Sequence, residues 1–225
     1  MTTRPAVPSR SFDAFVFDCD GTILDTLPDL VVVTNAALRE CGYPEHTVEE
    51  VKSYVGNGVK ALMYQAVPQD VPAEAADAAL ECWKRLHPVL EGKLTKPYPN
   101  VPEVLAELRR RGAKTAVLSN KFDEGVQQVV GEFLPGLFDV AHGECDRIPR
   151  KPDPTGLLLT LEELGVAPDR AAYIGDSPGD IVVARNAGTF AIAVSWGYHT
   201  REEMEAANPD AIVDTAKDFL AFLPQ

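Results

Sequence analysis

Residues 14–22 read Ala14-Phe15-Val16-Phe17-Asp18-Cys19-Asp20-Gly21-Thr22: four apolar residues run straight into two aspartates, a glycine and a threonine. A short unbroken apolar run that ends in turn-forming residues reads as a strand buried on both faces. Strands of this kind belong to parallel sheets, whose crossover connections lay helices over each side. The fold class then depends on whether the rest of the chain supplies more such strands with helices between them.

It does. Residues 113–118, 140–141, 171–174, 190–194 and 211–213 read as further strands, and 101–111, 122–133, 155–164 and 181–187 carry helical periodicity. Gly112, Gly165 and Gly188 stand where helix C-caps belong. The alternation predicts an α/β fold with a Rossmann-like parallel sheet as its core.

Residues 27–90 break this rhythm. They show only helical patterns, in 30–39, 48–54, 59–67 and 73–90. A helical block set after the first strand reads as an inserted all-helical cap domain. The turn-rich Lys96-Pro97-Tyr98-Pro99-Asn100 would bring the chain back. The expected organisation is a core of residues 11–26 and 91–225 and a cap of 27–90. Asp25-Thr26 is expected to cap the first helix of the insert. Gly56-Asn57-Gly58 reads either as an interhelical turn or as a substrate-specificity loop.

Bulk properties narrow the function. The net charge of -13 argues against nucleic acid, which needs a basic stripe. No segment approaches the ~20 uninterrupted apolar residues that a bilayer requires. Met1 to Arg10 carries two prolines and no apolar run, so it reads as neither signal peptide nor anchor. A cytoplasmic protein is expected. Cys19, Cys41, Cys82 and Cys145 are scattered, which suggests reduced and mostly buried thiols. His142 reads as structural.

In open parallel sheets, ligands bind beyond the carboxyl ends of the strands. Asp18, Asp20, Gly21 and Thr22 follow the first strand, and Ser119 and Asn120 the second. Lys151, Pro152 and Asp153 precede the 155–164 helix, and Gly175, Asp176, Ser177 and Asp180 follow the fourth strand. Hard cations such as Mg²⁺ take carboxylate oxygens and share a substrate's phosphate, so Asp18 and Asp176 are candidate ligands. With one oxygen of Asp18 on the metal, the other could attack phosphorus. Asp20 could then protonate the leaving oxygen and later deprotonate water. Thr22, Ser119, Asn120 and Lys151 form the candidate phosphate-binding set. Four carboxylates against one lysine would repel a phosphate without a cation, and such crowding raises carboxyl pKa values. Ser119-Asn120 could also cap the helix that follows.

These residues resemble the signatures of the haloacid dehalogenase-like phosphatases. The first, D-x-D-G-T, stands as Asp18-Cys19-Asp20-Gly21-Thr22, the second as Leu118-Ser119-Asn120, and the third as Lys151-Pro152. The fourth is Gly175-Asp176-Ser177-Pro178-Gly179-Asp180, and the order along the chain is that of the family. The resemblance implies a Mg²⁺-dependent phosphomonoester hydrolase that forms a phosphoaspartate at Asp18. It also implies Asp20 as acid/base with its main-chain carbonyl on Mg²⁺, and Asp176 as a direct ligand. Asp180 would either ligate the metal or orient Lys151 or a water. The position of the insert is similar to the C1 cap subclass. An aspartate at position 20 is unlike the dehalogenases and the phosphonoacetaldehyde hydrolases of the family. Gly56-Asn57-Gly58 and Ser195-Trp196-Gly197-Tyr198 look most like phosphoglycolate phosphatases, so 2-phosphoglycolate is the expected substrate. A sugar-phosphate or nucleotide phosphatase, or a phosphomutase similar to β-phosphoglucomutase, stays open, as does the oligomeric state. Trp196 and Tyr198 would either line the site or pack a loop.

Overall fold

The computed structural model describes residues 11–90 and 92–223; the first ten residues, with their expected lack of a signal or anchor, lie outside them. In chain order the elements are β1 (Ala14–Phe17), β2 (Leu24–Asp25), α1 (Leu27–Glu40), α2 (Val48–Tyr54), α3 (Gly58–Ala66) and α4 (Ala73–Leu90). There follow β3 (Lys96–Pro97), α5 (Val101–Arg110), β4 (Lys114–Phe122), α6 (Asp123–Phe133), β5 (Val140–Glu144) and α7 (Thr155–Leu164). The chain ends in β6 (Ala171–Gly175), α8 (Pro178–Ala187), β7 (Phe190–Val194), α9 (Arg201–Ala206) and β8 (Ala211–Val213).

Six of these strands form one sheet in the order β5-β4-β1-β6-β7-β8, with every recorded pairing parallel. Side chains of β1 alternate between two cores. Phe15 and Phe17 join Leu105, Leu108, Val126 and Phe219 on one face. Ala14 and Val16 join Leu118, Leu157, Leu161 and Ile181 on the other. Burial on both faces is why the strand needs an unbroken apolar run. The α/β expectation is met, with a parallel sheet core and an inserted helical region.

The chain runs from β1 outward to β4 and β5, then returns to the other side of β1 for β6, β7 and β8. That reversal is the topological switch point at which α/β sheets place their sites. Phe17 lies opposite Val117 of β4 and Ile174 of β6. The loop after β1 is therefore flanked by the ends of both neighbours.

The chain divides into two units, one of residues up to Leu24 with those from Pro97 onward, the other Asp25–Lys96. Within the helical unit, α1 buries Leu30, Val33, Thr34, Ala37 and Leu38, a stripe with helical spacing. Trp83 of α4 donates its indole N–H to Thr34 Oγ1 at 3.3 Å, which satisfies both polar groups inside the packed face. Thr47 and Glu50 close a reciprocal capping box at the start of α2. Gly56 and Gly58 both take positive φ in the turn that leads into α3. Among the described residues no helix is long and apolar enough to cross a membrane.

Several local expectations are corrected. Strand β4 continues four residues beyond Leu118, and its register against β5 shifts between Leu118 and Phe122. Helix α6 starts at Asp123, too far along for Ser119 or Asn120 to cap it. Thr26 is the N-cap residue of α1 but makes no side-chain capping bond. Its backbone is in the helical region, and Pro28 has no N–H to offer. Helix α9 was not expected, although Thr200 and Glu203 spell a capping box that its sequence shows. Cys19 and Cys82 are buried, whereas Cys41 is partly buried and Cys145 exposed.

Candidate active site

Asp18 follows β1 directly, and its N–H donates to Ile174 O at 2.8 Å, extending the pairing with β6 by one residue. Its Oδ1 accepts from the Cys19 N–H at 2.8 Å and stands 3.0 Å from Lys151 Nζ. The chain then folds back. The N–H groups of Thr22, Ile23 and Leu24 all point to Cys19 O, and Gly21 at the bend has φ +82°. Such a φ suits glycine, but here space demands it too. A Cβ on Gly21 would stand 2.4 Å from Asp176 Oδ2.

Lys151 is buried and reaches three acceptors: Asp18 Oδ1, Asp180 Oδ1 at 2.6 Å and Tyr173 OH at 3.0 Å. Burial alone would lower its pKa, but Asp18 and Asp180 outweigh that and hold it well above the lysine range. The residue is a fixed cation. Its main chain is held as well: the Lys151 N–H donates to Asn120 Oδ1 at 2.8 Å, and Asn120 Nδ2 donates to Lys151 O at 3.5 Å. Ser119 Oγ accepts from the Lys121 N–H at 3.3 Å, in the stretch where the β4–β5 register shifts.

Asp180 has no exposed surface, and both of its oxygens are engaged. Oδ1 takes Lys151; Oδ2 accepts from Ser177 N–H at 2.9 Å and Ser177 Oγ–H at 2.7 Å. With the Asp180 N–H returning to Ser177 Oγ, this is the capping box of α8. The acid thus ties the start of a helix to the buried lysine. Asp176 takes Thr22 Oγ1–H on Oδ1 at 2.9 Å and the Tyr198 N–H on Oδ2 at 2.7 Å.

Asp18, Asp176 and Asp180 each offer an oxygen within 4.8 Å of the others. Burial first, then Asp180 and the other neighbouring carboxylates, push Asp18 and Asp176 each up to about 7. Lys151 works against this at both groups without overcoming it. The cluster is short of positive charge. Asp20 is placed differently: its carboxylate is only partly buried, and Oδ1 lies 3.9 Å from Lys121 Nζ.

A family profile described as haloacid dehalogenase-like hydrolase matches residues 15–194. The chain belongs to that family. This haloacid dehalogenase-like hydrolase is 32% identical to the phosphoglycolate phosphatase of Aquifex aeolicus over 209 residues, covering 92% of this chain and 95% of that one. It is 34% identical to the phosphoglycolate phosphatase of Vibrio cholerae over 214 residues, covering 91% and 94%. A crystal structure from Lactobacillus delbrueckii subsp. bulgaricus, provisionally assigned as a phosphoglycolate phosphatase, superposes with a TM-score of 0.90 at 35% identity. It covers 96% of this chain and 100% of its own. The hydrolase is a phosphatase of phosphoglycolate phosphatase type.

The acids of this phosphatase fit a divalent cation. The donors are carboxylate oxygens only, as hard cations prefer, and the cluster lacks the charge such an ion supplies. The structure also engages residues that sequence reading passed over. Tyr173 donates to Leu118 O at 2.8 Å and supports Lys151. A tyrosine in an otherwise apolar buried strand was the signal, since a buried phenol seeks a partner. Lys121 beside Asp20 had no signal beyond following Ser119-Asn120. Thr22 and Asn120, expected on the phosphate, have their side chains on Asp176 and on the Lys151 main chain.

Proposed function

We propose that this phosphatase hydrolyses a small phosphomonoester with Mg²⁺ through a phosphoaspartate at Asp18, and that 2-phosphoglycolate is its substrate. The observation that carries the chemistry is the one-sided restraint of Asp18. The Cys19 N–H and Lys151 both meet Oδ1, so Oδ2 is the oxygen available to phosphorus. Support for the substrate comes from the two relatives named phosphoglycolate phosphatase, alike over nearly their full lengths.

Asp18, Asp176 and the Asp20 main-chain carbonyl would hold Mg²⁺. The ion supplies the positive charge that lets an anionic phosphoryl group approach four carboxylates. Both Asp180 oxygens already serve Lys151 and Ser177, so we assign Asp180 to holding Lys151. In the first half-reaction Asp18 Oδ2 bonds to phosphorus, the ester P–O bond breaks, and Asp20 gives its proton to the leaving alkoxide. In the second, Asp20 takes a proton from water. The water oxygen bonds to phosphorus, and Asp18 leaves with inorganic phosphate as product. Ser119 Oγ and the Lys151 ammonium are assigned to the phosphoryl oxygens, where transition-state charge is spread. Thr22 and Asn120 act through Asp176 and Lys151 instead.

The helical unit is assigned as a C1-type cap that selects the substrate, with the cap over 27–90 and the core over 11–26 and 91–225. The net charge of -13 agrees with a small metabolite as partner in place of nucleic acid. A cytoplasmic setting belongs to the same reading. A panel of phosphorylated metabolites assayed with Mg²⁺ tests it. The highest kcat/KM is expected for 2-phosphoglycolate, at least about tenfold above sugar phosphates and nucleotides, a margin of ~1.4 kcal/mol in transition-state binding. A sugar phosphate in first place would overturn the substrate assignment.

A further inference from the structure

The segment Ser195-Trp196-Gly197-Tyr198, which follows β7, takes no part in the chemistry above, yet it is built against one acid. Trp196 is anchored first. Its ring packs against Phe219 and Tyr98, with centroids 6.1 Å and 6.3 Å away, and its Nε1–H donates to Thr22 O at 3.1 Å. Thr22, so held, donates its hydroxyl to Asp176 Oδ1, while the Tyr198 N–H donates to Asp176 Oδ2. Between them the Gly197 backbone lies on the acid: a Cβ there would stand 2.1 Å from Asp176 Cβ. No side chain but hydrogen fits. Asp176 is thus bracketed on both oxygens and behind its Cβ by two segments that Trp196 ties together.

We infer that residues 195–198 are a positioning element for the divalent-cation site, setting the direction in which Asp176 presents its oxygens. This rests on the assignment of Asp176 as a metal ligand. The chemistry of the bracket suits that task. Its donors are a neutral N–H and a neutral O–H, which aim a carboxylate but leave its negative charge for a cation. Lys151 at Asp18 neutralises; the 195–198 bracket only orients. Partners that aim a ligand in this way typically change metal affinity about 10–100-fold when removed.

Mn²⁺ serves as the probe, its binding read from the loss of the free-ion electron paramagnetic resonance signal in wild type, Trp196→Phe, Gly197→Ala and Asp176→Asn. Trp196→Phe removes the indole donor and keeps an aromatic ring; Gly197→Ala drives a methyl group into Asp176. Both are expected to weaken Mn²⁺ binding about tenfold or more. Melting curves of the metal-free proteins report folding, and if Gly197→Ala does not fold, Trp196→Phe carries the test. A merely structural loop would lower the melting temperature and leave the Mn²⁺ curve where it was. Wild-type affinity in the loop variants, with affinity lost in Asp176→Asn, overturns the inference alone. Wild-type affinity in Asp176→Asn overturns the metal assignment beneath it.

Discussion

Asp18 and Asp176 are both buried acids pushed up to about 7, and their surroundings treat them differently. Asp18 is paired with a lysine, whereas Asp176 receives direct hydrogen bonds only from uncharged donors. That contrast fits a nucleophile restrained through one oxygen and a ligand aimed through two. Asp18→Asn should keep the fold and lose turnover by several orders of magnitude, more than ~4 kcal/mol in barrier, because an amide does not attack phosphorus. Steady-state rates beside a circular dichroism spectrum check this, and activity within tenfold of wild type would refute the assignment. At this scale the acids and Lys151 were legible in the sequence, since each closes a strand or opens a helix in a recognisable local pattern. The tasks of Thr22 and Asn120 were not. Their partners lie 154 and 31 residues away, and no local window contains them.

Among the elements, α1 shows how a helix start can serve a distant segment. Asp29 in its first turn is buried and accepts from the N–H groups of Gly92, Leu94 and Thr95 and from the Thr95 hydroxyl, at 2.6–3.2 Å. One carboxylate thus satisfies the main chain that leads out of the helical unit. Asp29→Ala would leave several donors without an acceptor, at about 1–3 kcal/mol for each one that stays buried. A loss of about 3 kcal/mol is expected in urea melts, with Asp29→Asn milder because one acceptor oxygen remains. A midpoint unchanged in both variants would show the contacts to be dispensable. The sequence marked α1 by its apolar stripe and could not mark this clamp, because an acid in a first helical turn is ordinary. Strand β4 taught the reverse lesson. Its polar end, Ser119-Asn120-Lys121, looked like a loop and is the tail of a strand whose pairing shifts register.

For the molecule as a whole, the charge-poor cluster predicts how pH and metal combine. Asp18 and Asp176 rise from 3.8 to about 7 on folding, so between those values the metal-free native state holds protons that the unfolded chain has released. Their contribution to stability is therefore full below about pH 4 and is lost as pH rises through 7. A cation competes with those protons for the same oxygens. The rise in melting temperature given by saturating Mg²⁺ over chelator should be small at pH 5.5 and large at pH 8. An increment equal at both values would mean that these two carboxyls do not hold the ion. The sequence by itself determined the α/β alternation, the helical insert and the identity of the acids, because periodicity and strand-end motifs are properties of short windows. Only the tertiary structure decided the strand order β5-β4-β1-β6-β7-β8, the oxygen each acid commits and the glycines pressed against Asp176. Those outcomes depend on close packing between segments far apart in the chain, whose free energy is not contained in any one of them.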